Sequence, residues 1–150
     1  SNCVFDGKKP FMTIHDKTNP SNEYGKQKLE VEKWMRLNLS NASILRLSKV
    51  IHPYFNLINE WKEKLDLSME IYPLEDKYFA PTPIESVIKK IEEIRISDKN
   101  ILSHCKSYQD LSYHQYALSI FDLHVNKNLI KKGRSSNSLE KNITSFSSLK

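Results

Sequence analysis

Three glycines in 150 residues, Gly7, Gly25 and Gly133, narrow what this chain can be. A phosphate cradle of the GxGxxG or P-loop kind needs glycines close together, because only they let a backbone turn tightly and approach a pyrophosphate. Glycines this widely spaced build neither turn. Whatever the chain binds, it does not supply a dinucleotide-binding turn of its own.

The length suits about one domain with a respectable core. A hydrophobic content of 39% and a charged content of 27% fit a soluble globular protein. No run of about 18 consecutive apolar residues occurs, so no membrane-spanning helix is expected. The opening SNCVFDGKKP lacks the charged-then-apolar order of a secretory leader. Cys3 and Cys105 form no CxxC pair, and a cytoplasmic protein with reduced thiols is the expectation.

The net charge of +5 resides in residues 126–150, where six basic side chains face Glu140 alone; the first 125 residues carry 17 basic and 17 acidic groups. A nucleic-acid binder should show its basic stripe on the folded body. A serine-rich basic tail reads instead as a solvated terminus, and nucleic acid is not an expected partner. The five histidines, His15, His52, His104, His114 and His124, form no HxH or HExxH pattern, so no metal site is expected.

Periodicity predicts alternating strands and helices. CVF reads as a strand ending at the Asp6-Gly7 turn, and residues 8–22 as a loop. Asn19 to Asn22 offer cap residues for a helix to about Leu37, with Leu29, Val31, Trp34, Met35 and Leu37 as its apolar positions. A buried strand follows at Ser43 to Leu47, then a short amphipathic helix in PYFNLINEWKEKL, a short strand in SMEIYP and a loop in EDKYFAPTP. In IESVIKKIEEIRI, Ile84, Val87, Ile88, Ile91 and Ile94 fall at helical spacing and read as core. NILSHC suggests a strand, and Asp110 or Ser112 can cap the helix YHQYALSIFDLHV. Trp34 and Trp61 read as packing residues, and the chain beyond Asn126 as loosely held. The fold class expected is α/β.

Tyr24 and Lys28 stand four apart at the start of the first helix, so they share a face. A free phenol has a pKa of ~10, leaving about one in a thousand ionised at neutral pH. A nearby ammonium favours the phenolate, so such a tyrosine can exchange a proton with a carbonyl or alcohol oxygen while hydride moves at the adjacent carbon. A serine hydroxyl close by, here Ser1, can steady the same oxygen. On spacing alone a solvated surface pair is the commoner reading, since most such helical pairs are surface residues.

The combined pattern S-x-x-VFDG … P-x-N-x-YGKQK resembles the extended short-chain dehydrogenase/reductase superfamily, and within it the dTDP-4-dehydrorhamnose reductase family. Ser1 takes the place of that family's catalytic threonine or serine, while Pro20, Asn22, Tyr24, Gly25 and Lys28 match its motif. Further on, ILRLSKVI resembles the family's xxRTSWVY strand, with Lys49 where an aromatic is usual. DKYFAPTPIESV resembles its DQxGxPT loop and helix, with Phe79 at the usual glycine. LSYHQYALSI is similar to xSxYEFAxxI, and GRSSNSLEK to xRPxNSxLxx with the proline lost.

The resemblance implies the C-terminal part of a Rossmann-like doubly wound sheet plus a small α/β substrate-binding lobe, the glycine-rich turn belonging to an N-terminal half. It implies the last strands and catalytic helix at 1–52, the lobe at 53–125 and a partly disordered basic tail at 126–150. It further implies reduction of a 4-keto nucleotide-diphosphate sugar by NADP or NAD, in a homodimer or with the missing N-terminal half as partner. Tyr24, Lys28 and Ser1 would be catalytic, and Tyr24, Lys28, Leu47 and Ser48 would meet the cofactor. Asn2, Val4, Lys49, Arg134 and Asn137 would meet the substrate. The same superfamily contains the regulatory subunit of methionine adenosyltransferase, so a non-catalytic sugar-nucleotide-binding or regulatory role is the alternative.

Overall fold

Asn22 starts the first helix as its composition suggests. Its side-chain oxygen accepts the Gly25 N–H at 2.8 Å, satisfying one of the donors a helix start leaves open. In the computed structural model, which describes residues 1–97, 100–121, 127–135 and 146–150, this helix is α1 (Glu23–Asn38). The segment before it is not the expected strand: Asn2–Val4 form a 3-10 turn capped by Ser1, whose Oγ accepts the Cys3 N–H. Asn2 N–H bonds the Leu47 carbonyl at 2.9 Å and Val4 is fully buried, so the turn is pinned from both sides.

The chain then forms β1 (Ile44–Arg46), β2 (Lys49–Ile51) and α2 (Asn56–Asp66). β3 (Tyr78–Phe79) and β4 (Pro81–Pro83) occupy the stretch expected to be a loop. α3 (Ile84–Ile96) and β5 (Leu102–His104) come next. β6 (Leu111–Ser112) leads into α4 (Tyr113–Ile120), which Ser112 and Gln115 start with a reciprocal capping box. Phe121 caps α4 at its C-terminal end, and residues 122–125 of the predicted helix, with His124, lie outside the described residues.

Among the described residues, β1 and β5 pair in parallel from Ile44↔Leu102 to Arg46↔His104, and β2 and β4 in parallel around Val50↔Thr82. β3 and β6 are antiparallel. The strand expected in SMEIYP is reduced to an isolated bridge, Ile71↔Ile130, with another, Leu74↔Gly133, just past it. Prolines lack the N–H a ladder needs, which made residues 79–83 look like a loop. Thr82 at the centre of β4 nevertheless keeps its pairing and is fully buried.

Two apolar clusters hold the fold. Trp61 and Leu65 of α2, Ile71, Phe79, Tyr116 and Ala117 of α4, and Ile130 make the larger. Val4, Phe5, Met12 and Leu149, with Leu29 packed against them, make the smaller. Ile130 and Leu149 come from the stretch expected to be loosely held; in its described parts that stretch enters both cores. The isoleucine face of α3 is not core either. Val87 is buried, but Ile88 and Ile91 are 51% and 52% exposed because α3 meets β2 and β4 along one side only. Trp34, about 200° around α1 from the buried Glu32, is likewise 58% exposed. No described helix is long and apolar enough to cross a membrane.

Candidate functional site

α1 delivers Tyr24 and Lys28 to one cleft because its first turn lies directly on the Asn2–Val4 segment. Gly25 permits the approach: an alanine Cβ there would stand 2.1 Å from the Cys3 carbonyl oxygen and 3.0 Å from Pro20 Cβ. Alanine is preferred to glycine inside a helix by ~1 kcal/mol. Gly25→Ala is nevertheless expected to lower stability by about 1–3 kcal/mol in urea unfolding, because backbone must move. An unchanged or raised midpoint would show that the turn shifts aside freely.

The cleft measures ≈ 710 Å³. Ser1, Asn2 and Cys3 line it from the 3-10 turn and Tyr24 and Lys28 from α1. Leu45, Leu47, Ser48, Lys49 and Val50 line it from β1 and β2, and Tyr78, Phe79, Tyr113 and Ser147 close the far wall. The Tyr24 ring is 54% exposed, with the Lys28 ammonium 5.1 Å from its centroid. Ser48 Oγ donates to the Ala80 carbonyl at 2.8 Å, so its 2.6 Å contact with Thr82 Oγ1 is one it accepts. That pair ties the link between β1 and β2 to β4. Burial pushes the Tyr113 phenol up, keeping it neutral and able to donate.

Ser1, Asn2, Tyr24, Lys28, Leu47, Ser48 and Lys49 therefore come together as the sequence suggests. Two other residues do not join them. Val4 is fully buried with Phe5, Met12 and Leu149 rather than facing the cleft. The Arg134 guanidinium is bound to Glu75, Nε to Oε1 at 2.8 Å, and lines none of the cleft. Asn137 lies outside the described residues. Sequence reasoning missed Tyr78, Phe79, Tyr113 and Ser147. A tyrosine just inside a capped helix was the available signal for Tyr113; the two-residue β3 gave none for Tyr78 and Phe79.

Behind the cleft lies a buried polar network. Arg46 Nε is 3.1 Å from both Glu32 carboxylate oxygens, and its Nη2 is 2.7 Å from Oε2. Both residues are under a tenth exposed. Arg46 Nη1 lies 3.4 Å from His104 Nε2, while His104 Nδ1 lies 3.0 Å from the Met12 carbonyl oxygen. A carbonyl only accepts, so Nδ1 carries the proton and Nε2 accepts from the guanidinium. This is the neutral imidazole. Burial first, then the Arg46 charge, hold its pKa below the ordinary value.

His104 therefore binds a proton more readily in the unfolded chain. The stability it contributes is complete above its unfolded pKa of ~6.5 and is lost as pH falls through the lower folded value. Asp16, held low by Lys9, and Glu75, held low by Arg134, titrate below that window. A urea midpoint that falls between about pH 7 and pH 5, with a flatter profile in His104→Gln, is the expected result.

Among the described residues no three His, Cys, Asp or Glu side chains gather as metal ligands. The cleft combines an exposed phenol, an adjoining ammonium and several hydroxyls. Such a set can hold a polar oxygen-rich ligand and move one proton.

The fold is shared with solved sugar-nucleotide enzymes. The dTDP-4-dehydrorhamnose reductase of Bacillus anthracis, in complex with NADP, superposes with a TM-score of 0.78 at 19% identity, over 99% of this chain and 54% of that one. Its counterpart from Clostridium acetobutylicum gives 0.77 at 21% identity, over 99% and 54%. DesIV, a dTDP-glucose 4,6-dehydratase from Streptomyces venezuelae with NAD bound, gives 0.77 at 15% identity, over 100% and 49%. These are Rossmann-like reductases and dehydratases, and this chain spans about half the length of each. No curated protein sequence matches it. The family model of the RmlD substrate binding domain matches residues 1–142.

Proposed function

The chain belongs to the RmlD substrate binding domain family, and from that premise we propose that it is the substrate-side half of a nicotinamide-dependent reductase acting on a 4-keto nucleotide-diphosphate sugar. The observation that carries this reading is the convergence of Tyr24, Lys28 and Ser1 on one ≈ 710 Å³ cleft with Leu47, Ser48 and Lys49. The donor set fits the nicotinamide-ribose end of NADP or NAD: Lys28 and the Tyr24 hydroxyl would hold its ribose hydroxyls, with Leu47 and Ser48 beside them in the cleft lining. It does not fit the pyrophosphate end, for which these residues offer no glycine turn. That turn belongs to a complementary nucleotide-binding half, consistent with the half-length match to the solved structures.

When bound, the reduced nicotinamide supplies hydride to the keto carbon. Tyr24 gives its phenolic proton to the developing alkoxide. The Lys28 ammonium stabilises the phenolate this leaves. Ser1 Oγ and the Asn2 amide face the same space and orient the carbonyl; Lys49 offers its charge to the substrate diphosphate. Val4 acts from beneath, as packing for the Asn2–Cys3 turn.

The test joins the chain to a nucleotide-binding half, as one polypeptide or two. NADPH or NADH should then be oxidised in the presence of a 4-keto sugar nucleotide, followed by loss of reduced-nicotinamide absorbance. Sugar-nucleotide binding with no oxidation of either coenzyme would favour the regulatory role instead.

A further inference from the structure

A surface helix normally docks through an apolar stripe. α1 does not: of its 16 residues the buried ones are Gly25 and Glu32, with Leu29 packed against the Val4–Phe5 cluster. Its second half is held by the ion pair of Glu32 with Arg46. Along α1, Glu32 lies one turn past Lys28 and two past Tyr24, about 40° and 80° around the axis. A rotation that turned Tyr24 out of the cleft would therefore have to break the Glu32 contact.

The other end of the pair is equally committed. Arg46 is the residue before Leu47 and two before Ser48, both in the cleft wall. Its guanidinium spends Nε and Nη2 on Glu32 and Nη1 on His104, and lies over the Phe5 ring at 5.1 Å. His104, itself edge-on to Phe5 and bonded to Met12, fixes the plane of the guanidinium. Arginine is specified here by its fork; a lysine cannot serve Glu32 twice and His104 at once.

We propose that Glu32, Arg46 and His104 are positioning residues that fix the rotation of α1, so that Tyr24 and Lys28 point into the cleft; as a catalytic role this rests on the reductase reading above. Arg46→Lys, which keeps the charge and removes the fork, is the test, with two readouts. On the chain alone, amide exchange along α1 should rise at least about tenfold. The nuclear Overhauser contact from Gly25 to the Cys3–Val4 backbone should weaken, while protection around Trp61 and Tyr116 stays unchanged. In the protein joined to its nucleotide-binding half, kcat should fall about tenfold or more, with the KM for the sugar nucleotide altered less than about twofold.

An unchanged α1, or joint loss of protection in α1 and the Trp61 core, overturns the proposal. An intact kcat on a loosened helix overturns it too. Should Arg46→Lys fail to fold, Glu32→Met/Arg46→Met replaces the pair by apolar volume; the double variant should fold with kcat still depressed, and a wild-type kcat overturns the proposal. If the wild-type protein reduces no keto sugar, the reductase reading fails separately. The exchange and Gly25 contacts then decide the positioning role on their own.

Discussion

Tyr24→Phe should reduce turnover of a 4-keto sugar nucleotide by ~10²–10⁴-fold, the usual worth of a positioned general acid. The change removes one oxygen from a ring that is 54% exposed. Among the described residues that phenol makes no hydrogen bond, so the urea midpoint should stay within about 0.5 kcal/mol of the wild type. The loss should fall in kcat rather than KM, because the proton is needed as the alkoxide forms and adds little to ground-state binding. A variant retaining near wild-type kcat would remove Tyr24 from the chemistry and leave the cleft as a binding site.

The largest effect on stability is expected from Arg46→Met. Glu32 would remain a carboxylate 7% exposed, now without a counter-charge. Breaking a buried pair from one side costs about 3–5 kcal/mol, a large share of a domain's ~5–15 kcal/mol. Replacing both partners removes the stranded charge, so Glu32→Met/Arg46→Met should recover most of that loss. Equal destabilisation of the single and double variants, read from urea midpoints, would show that the pair contributes through shape alone. The same loss should appear more weakly in His104→Gln, which strands no full charge.

Helices were the legible part of this fold because their signals are local. Asn22 and Ser112 are caps by chemistry, and α3 begins and ends where its pattern does. The sheet was harder. β3 and β4 are two and three residues long and carry two prolines, so no alternation could reveal them; their pairing with β6 and β2 is a long-range event. Periodicity also misjudged what was buried. Trp34, Ile88 and Ile91 have the right residue type but face a side on which the described chain places nothing. Glu32 has the wrong type yet is inside, because Arg46 meets it there.

The site followed the same division. Tyr24, Lys28 and Ser1 were named from motif spacing and the chemistry it serves, and Ser48 from the family resemblance. Tyr78, Tyr113 and Ser147 were not, since only the fold brings them near. His104 illustrates the limit: among five histidines nothing in the sequence distinguishes the one lodged between a guanidinium and a carbonyl.

The Phe11 amide bonds the Ser148 hydroxyl across a sequence separation of 137, and Met12 pairs with Leu149. Closing so long a loop carries an entropic cost that local helix formation does not. The α2–α4 core is therefore expected to form before the far segment arrives to back the Val4–Phe5 cluster beneath Ser1 to Cys3. A cut near Ser147 should accordingly loosen the cleft before it loosens the Trp61 core.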